Sequence, residues 1–314
     1  MQLHEDEFDI DDELVCKLLT RDLPEAASQP LRRLSASGSS NALFRLGEDM
    51  LVRLPRQPGG AKTIDIEAHW LPRIAAELPV AVPEVLAVGE PGFGYPERWS
   101  VVRWIDGHHP ATPEPGADQL AGDLADVVAA LRAIDVPPEA RDDPTLRWYR
   151  AGPLSAIDSG VRGDLEQCRE LADLDLDLDA CAALWDTALA VPQDGAPEQH
   201  WVHADLLAEN LLLRDGRLSA VLDFGGLAVG DPTVDLIAAW EVLDVRGRQA
   251  FRAALRVDEP TWQRGRAWAL AIALMTFPYY WRTMPGRCRA RLAMARAVLD
   301  DEGTNCPAPT RGEP

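Results

Sequence analysis

His203-Ala204-Asp205-Leu206-Leu207-Ala208-Glu209-Asn210, followed downstream by Asp223-Phe224-Gly225, is the stretch from which the rest of the chain can be read. Between the two pieces, Leu211-Leu212-Leu213 and Leu218-Ser219-Ala220-Val221-Leu222 read as short apolar strands joined at Asp215-Gly216, a dipeptide suited to the positive φ angles of a tight hairpin turn. Antiparallel strands bring a hairpin's entrance and exit together, so Asn210 and Asp223 are expected a few ångströms apart. An amide oxygen and a carboxylate so placed can share a hard cation such as Mg2+. Asp205 adds a second carboxylate on the same segment. These are the parts that phosphoryl transfer requires, because its transition state is stabilised by positioning and charge neutralisation. Asp205 is the candidate base, and Asn210 and Asp223 are the candidate metal ligands.

The spacing H-x-D-x-x-x-x-N followed by D-F-G matches the catalytic-loop and metal-loop signatures of protein kinases. Beyond it, Trp201-Val202-His203, Ala220-Val221-Leu222-Asp223-Phe224-Gly225-Gly226 and Gly230-Asp231-Pro232-Thr233-Val234-Asp235 make the chain resemble the aminoglycoside phosphotransferase family. Leu51-Val52-Arg53-Leu54-Pro55 and Trp99-Ser100-Val101-Val102-Arg103-Trp104-Ile105-Asp106-Gly107 extend the resemblance, which covers about residues 34–299. It implies an α+β, two-lobed protein-kinase-like fold: an N-terminal antiparallel-sheet lobe over 1–105 and a mainly helical lobe over 106–302. It also implies Mg2+, ATP or GTP as donor, and an acceptor hydroxyl on an antibiotic of aminoglycoside, macrolide or nucleoside type. In that family the residue at Asp205 takes or orients the hydroxyl proton, and the residue at His203 supports the loop.

In the first lobe, residues 31–36, 42–46 and 50–54 read as strands. The turn Ser37-Gly38-Ser39-Ser40-Asn41 is expected over the nucleotide phosphates, where amides and serine hydroxyls can donate. It carries one glycine, unlike the kinase G-x-G-x-x-G loop. Arg53 stands where kinases carry a phosphate-binding lysine. It keeps the charge but brings a longer, planar fork. Residues 61–78 have near-helical apolar spacing, with Glu67 as the expected ion-pair partner of Arg53 and Pro72 as a break. Strands near 83–88 and 99–105 lead to the lobe boundary, where backbone groups near Arg103, Trp104 and Ile105 are expected to face the nucleotide base. His108 and His109 lack a supporting Cys/His cluster and read as linker residues.

The second lobe reads as helical over 118–134, 181–189, 234–243, 262–276 and 287–299. Asp235 is expected to brace the catalytic loop or cap a helix. In the resembling family the acceptor pocket lies beyond the catalytic loop. The candidates there are Asp106, Glu209, Trp240, Glu241, Asp244, Phe277, Tyr279, Tyr280 and Trp281.

Composition bounds the partners. The 314 residues carry 31 basic and 51 acidic side chains, a net charge of −20, which disfavours nucleic acid and anionic membranes. No apolar run approaches the roughly 20 residues of a membrane span, and the acidic start lacks the positive region of a signal peptide, so a cytoplasmic location is expected; monomer and homodimer both stay open. Cys16, Cys168, Cys181, Cys288 and Cys306 have no C-x-x-C spacing and read as reduced thiols. An opening helix is expected near residues 10–19 and a disordered tail at 303–314. Two alternatives to an antibiotic kinase stay open: a metabolic kinase acting on a sugar, amino alcohol or amino acid, and a nucleotide-binding pseudokinase.

Overall fold

The computed structural model describes residues 6–34, 40–116, 118–192 and 199–301. The expected disordered tail, Cys306, and Ser37, Gly38 and Ser39 of the phosphate turn all lie outside these residues. The two-lobed α+β arrangement expected from the sequence is present.

Helix α1 (Asp12–Asp22) opens the small lobe, with Asp11 accepting from Leu14 N at 2.7 Å as its N-cap. Strands β1 (Leu31–Arg33), β2 (Asn41–Leu46), β3 (Met50–Pro55), β4 (Val85–Gly89) and β5 (Trp99–Arg103) form an antiparallel sheet in the order β1-β2-β3-β5-β4. Alternation along β3 divides its side chains. Val52 and Leu54 enter a small core with Val15, Leu18 and Phe44, and the intervening Arg53 turns to the other face.

The stretch 61–78 is broken, as Pro72 implies. Helix α2 (Ala61–His69) ends at Trp70, and α3 (Leu71–Ile74) restarts with Pro72 in its first turn, where a missing N–H costs nothing. Ile66, Trp70, Leu71 and Ile74 pack into the core of the large lobe, although α2 follows the small-lobe sheet directly in sequence.

Helix α4 (Asp118–Ala133), then α5 (Pro138–Asp142), α6 (Asp158–Arg169) and α7 (Leu178–Leu189) precede two short ribbons. One ribbon pairs β6 (His200–Val202) with β9 (Ala228–Gly230), and the other is the hairpin of β7 (Leu211–Arg214) and β8 (Arg217–Val221). Asp215 and Gly216 take φ of 53° and 74° at its turn, as the sequence requires. The inter-lobe link crosses this hairpin closely. His108 and Leu213 exchange backbone bonds of 3.1 and 2.7 Å, and a Cβ on Gly107 would lie 2.8 Å from Leu212 Cβ, so only glycine fits there.

The expected helix at 234–243 divides into a 3-10 segment (Pro232–Ile237) and α8 (Ala238–Glu241). Helix α9 (Val245–Leu255) follows, then α10 (Glu259–Tyr280), buried on all sides over 267–274, and α11 (Pro285–Asp300). Among the described residues no helix is long and apolar enough to cross a membrane. The four described cysteines are free thiols, and burial pushes Cys168 and Cys181 up to about 12, which leaves them unreactive near neutrality.

Candidate active site

The catalytic-loop segment is held from beneath by a buried carboxylate. Asp235 accepts from His203 N at 3.0 Å and from Ala204 N at 2.7 Å. Ala204 has φ 62°, a left-handed conformation costly for a residue with a Cβ, and these two bonds hold it there. Asp235 sits inside the 3-10 segment and does not cap it; Asp231 does, accepting from Thr233 N at 2.9 Å. Asp235→Ala should strand two buried N–H groups and cost about 2–4 kcal/mol. Chemical denaturation measures this, and a loss below about 1 kcal/mol would show that the loop does not depend on the brace.

His203 is fully buried and edge-on to Phe224, with ring centroids 4.6 Å apart. Its Nδ1 accepts from Asp205 N at 3.2 Å, so the ring proton sits on Nε2 and donates to Leu222 O at 2.9 Å. Both nitrogens are thus engaged, tying the catalytic loop to the end of β8.

Asn210 donates through Nδ2 to Asp205 O and Asp205 Oδ2, both at 2.9 Å, which leaves its amide oxygen as the free end. Leu222 N donates to Asn210 O at 2.7 Å, closing the hairpin base. Asp223 follows in the left-handed region at φ 57°, its side chain 42% exposed and 3.8 Å from Arg53 Nη2. The two ends of the hairpin therefore present hard oxygen donors of the kind Mg2+ takes. Among the described residues no three His, Cys, Asp or Glu side chains cluster as a metal cage. This donor set fits an ion completed by phosphate oxygens and water.

Behind Asp223, Arg53 Nη1 lies 2.5 Å from Glu67 Oε2, with both side chains buried. Burial pushes the Glu67 carboxyl above its ordinary range, and Asp223 adds to the rise while Arg53 opposes it. Burial also works against the charge on Arg53, but Glu67 and Asp223 outweigh it and keep the guanidinium cationic.

Asp205 is engaged at both oxygens. Arg150, from the 3-10 turn Tyr149–Ala151, bonds Oδ1, and Asn210 bonds Oδ2. Burial alone would raise this carboxyl, but Arg150 and the more distant Arg291 hold it below the usual carboxylate range. Arg150 is the principal residue that sequence reasoning missed. Its only local signal is the run Trp148-Tyr149-Arg150, two aromatics and a base in a segment otherwise full of aspartate and proline.

The other sequence candidates separate. Ser40 O accepts from Arg56 N at 2.9 Å, and Asn41 is a buried residue of β2. Arg103 pairs with Glu84 at 2.5 Å, and Trp104 lies under Arg45 with its amide on Asp49 O at 2.8 Å. Ile105 alone of the three keeps its backbone N–H and C=O without a partner among the described residues.

The acceptor candidates fall in different surroundings. Asp106 bonds Trp104 Nε1 at 2.6 Å and faces Arg214 at the hairpin tip, the end opposite Asn210. Trp240 is core, packed on Trp262 and bonded to Asp301, and Phe277 is fully buried in the same core. Asp244 is the N-cap of α9. Glu241 is buried, accepting from Ala208 N at 2.8 Å and from Arg291, so it supports the loop from below. Glu209 is taken up by Arg287 at 2.9 Å and Arg291 at 3.2 Å. Tyr280 lies beneath Arg287 and beside Tyr279, which is 54% exposed. Trp281 packs edge-on to Phe277.

A small sheet lobe, a buried Arg–Glu pair and two motif-borne carboxylates at the base of a helical lobe define a kinase-like phosphotransferase. The chain belongs to the phosphotransferase enzyme family, APH, whose sequence profile matches residues 31–268. Among solved structures, the GDP complex of wild-type aminoglycoside 2'-phosphotransferase-IIIa is similar at 18% identity and TM-score 0.65, over 93% of this chain and 98% of that one. The streptomycin–ATP ternary complex of APH(2'')-IIa has 18% identity and TM-score 0.61, over 93% and 99%. Macrolide 2'-phosphotransferase MphH from Brachybacterium faecium has 21% identity and TM-score 0.59, over 91% and 97%. Similarity at this level shows a shared fold. No match to a curated protein sequence is found.

Proposed function

We propose that this phosphotransferase moves the terminal phosphoryl group of a Mg2+-bound ATP or GTP to a hydroxyl of a small molecule, with an antibiotic as the first acceptor class to test. The observation that carries the reading is one connected set of groups at the mouth between the lobes. Glu67, Arg53 and Asp223 form its nucleotide side, and Asp205 and Asn210 its acceptor side. The two sides are joined by the Asn210–Leu222 backbone bond of 2.7 Å.

Arg53 donates to the donor phosphates while Glu67 fixes its fork, and the free backbone of Ile105 meets the edge of the base. Asn210 and Asp223 hold the metal, which neutralises phosphate charge when bound. The acceptor hydroxyl replaces Arg150 at Asp205 Oδ1. Its oxygen attacks the terminal phosphorus, the bond to the bridging oxygen breaks, the nucleoside diphosphate leaves, and the hydroxyl proton passes to Asp205. His203 holds the loop and takes no proton, since both ring nitrogens are bonded.

Nucleotide complexes and bound antibiotics in proteins of the same fold support the reading. A second reading, a metabolic small-molecule kinase, is favoured by the occupation of Glu209 and Glu241 by arginines, which leaves neither free for an amino sugar. Release of nucleoside diphosphate should be measured with ATP and GTP against aminoglycosides, macrolides, nucleoside antibiotics, sugars, amino alcohols and amino acids. Acceptor-dependent, Mg2+-dependent release with a phosphorylated product is expected for one class. Tight nucleotide binding with no acceptor-dependent release throughout the panel would make the chain a binding module.

A further inference from the structure

The three carboxylates that the catalytic loop and α8 bring together each already have a cation. Asp205 is bonded by Arg150, Glu209 by Arg287 and Arg291, and Glu241 by Arg291 together with the Ala208 amide. An ammonium group approaching these three would find each already paired and would meet Arg150 at Asp205.

Arg150 is built into the site. Its guanidinium stacks 4.7 Å over the Trp148 ring and lies 5.7 Å from the Tyr149 ring. Its Nε donates to Tyr149 Oη at 3.0 Å, and its Nη1 to Ala204 O at 3.3 Å as well as to Asp205. The shelf beneath is fastened in turn: Asp231 N donates to Ala151 O at 2.9 Å, and the Trp148 ring fills the space where a Cβ on Gly226 would stand. Nη2, by contrast, meets among the described residues only Met275 Sδ at 3.9 Å, a weak acceptor, although the side chain is just 13% exposed. An anchored guanidinium with one donor edge lacking an oxygen is a preorganised receptor for an oxyanion.

We propose that Arg150 selects the acceptor, which is an alcohol carrying an anionic group, carboxylate or phosphate, close to its reacting hydroxyl. The anion takes the Nη2 edge while the hydroxyl displaces Nη1 from Asp205 Oδ1. This inference rests on the phosphotransferase site described above. Around this site three arginines, Arg150, Arg287 and Arg291, balance the three carboxylates, whereas the chain as a whole carries a net charge of −20. Selection follows from repulsion of ammonium as much as from attraction of the anion.

Four ligands of one sugar frame test it by calorimetry: glucuronate, glucose 6-phosphate, glucose and glucosamine, titrated into the wild-type chain, Arg150→Gln and Arg150→Lys. Wild type should bind at least one of the two anions about tenfold more tightly than glucosamine, with glucose between. The tighter anion identifies the group recognised. Arg150→Gln should erase the order, and Arg150→Lys, which keeps the charge without the fork, should retain part of it. An unchanged thermal midpoint in Arg150→Lys would show that the shelf is intact.

Glucosamine binding as well as glucuronate and glucose 6-phosphate, or an order unaltered by Arg150→Gln, overturns the proposal. So does loss of Mg2+–nucleotide binding in Arg150→Gln with the sugar order preserved, which would place Arg150 on the transferred phosphate. The ligand order is read without nucleotide. Failure of wild type to bind Mg2+–ATP or Mg2+–GTP would therefore count against the phosphotransferase reading separately.

Discussion

Asp205→Ala is expected to lower phosphoryl transfer by about 10³-fold while Mg2+–nucleotide affinity stays within a few fold of wild type. The asymmetry follows from where the carboxylate sits. In the proposed mechanism Asp205, bonded to Arg150 and Asn210, faces the acceptor, whereas Arg53, Glu67 and Asp223 face the nucleotide. On that mechanism, removing the carboxylate deletes the group that orients the hydroxyl and receives its proton. The loop survives, because Asp235 holds His203 and Ala204 through their backbone amides, and Asn210 still donates to Asp205 O. Asp205→Asn is the companion variant: it keeps the volume and a polar partner for Arg150 but does not accept a proton at neutral pH. Initial rates of diphosphate release, set beside nucleotide binding, decide the matter. A variant retaining a tenth of wild-type turnover would remove Asp205 from the chemistry.

Loss of Asp223 should be felt first in the metal. The informative substitution is Asp223→Asn, because asparagine tolerates the left-handed backbone at φ 57° that alanine would strain. It keeps an oxygen but gives up the charge, so the Mg2+ concentration for half-maximal turnover should rise by about 100-fold, and Asn210→Ala should raise it by about tenfold. Asn210→Ala also removes the donor to Asp205 Oδ2, so that variant should lower turnover even at saturating Mg2+. Titrating Mg2+ at fixed nucleotide separates the two effects. Parental Mg2+ dependence in both variants would mean that the base of the hairpin does not hold the ion.

The parts of this site that could be read from the sequence are those written in local code. The hairpin came from two apolar runs and a turn that needs positive φ, and its ends carried Asn210 and Asp223 by proximity alone. Pro72 announced the break between α2 and α3. Helices α6 and α9 escaped because few apolar residues mark them. Only Val161, Leu165 and Cys168 are buried on α6, which also contains Gly160 and Gly163, and Phe251 is the sole large apolar residue buried on α9. Arg150 was out of reach for a different reason: its partner Asp205 lies far along the chain, and nothing in Trp148-Tyr149-Arg150 encodes that contact. Glu241 and Trp240 misled in the opposite direction. A carboxylate and an indole beside the catalytic region look like ligand contacts, yet one serves the Ala208 amide and the other the core.

The position of α2 bears on how such an enzyme can be controlled. In protein kinases the glutamate that clamps the phosphate-binding cation rides on a helix whose placement governs activation. Here Glu67 rides on a helix rooted in the other lobe. Ile66, Trp70, Leu71 and Ile74 are embedded in the large core, and Trp70 is further tied to Asp143 at 2.9 Å and packed against Trp201. Swinging α2 outward together with Trp70 and the α3 turn that follows it would bring four large apolar side chains into water, at about 1.5–3 kcal/mol each. A penalty of that size opposes any movement of α2 that carries α3 with it. The Glu67–Arg53 pair is therefore expected to be formed before any ligand arrives, held by the packing of residues 66–74.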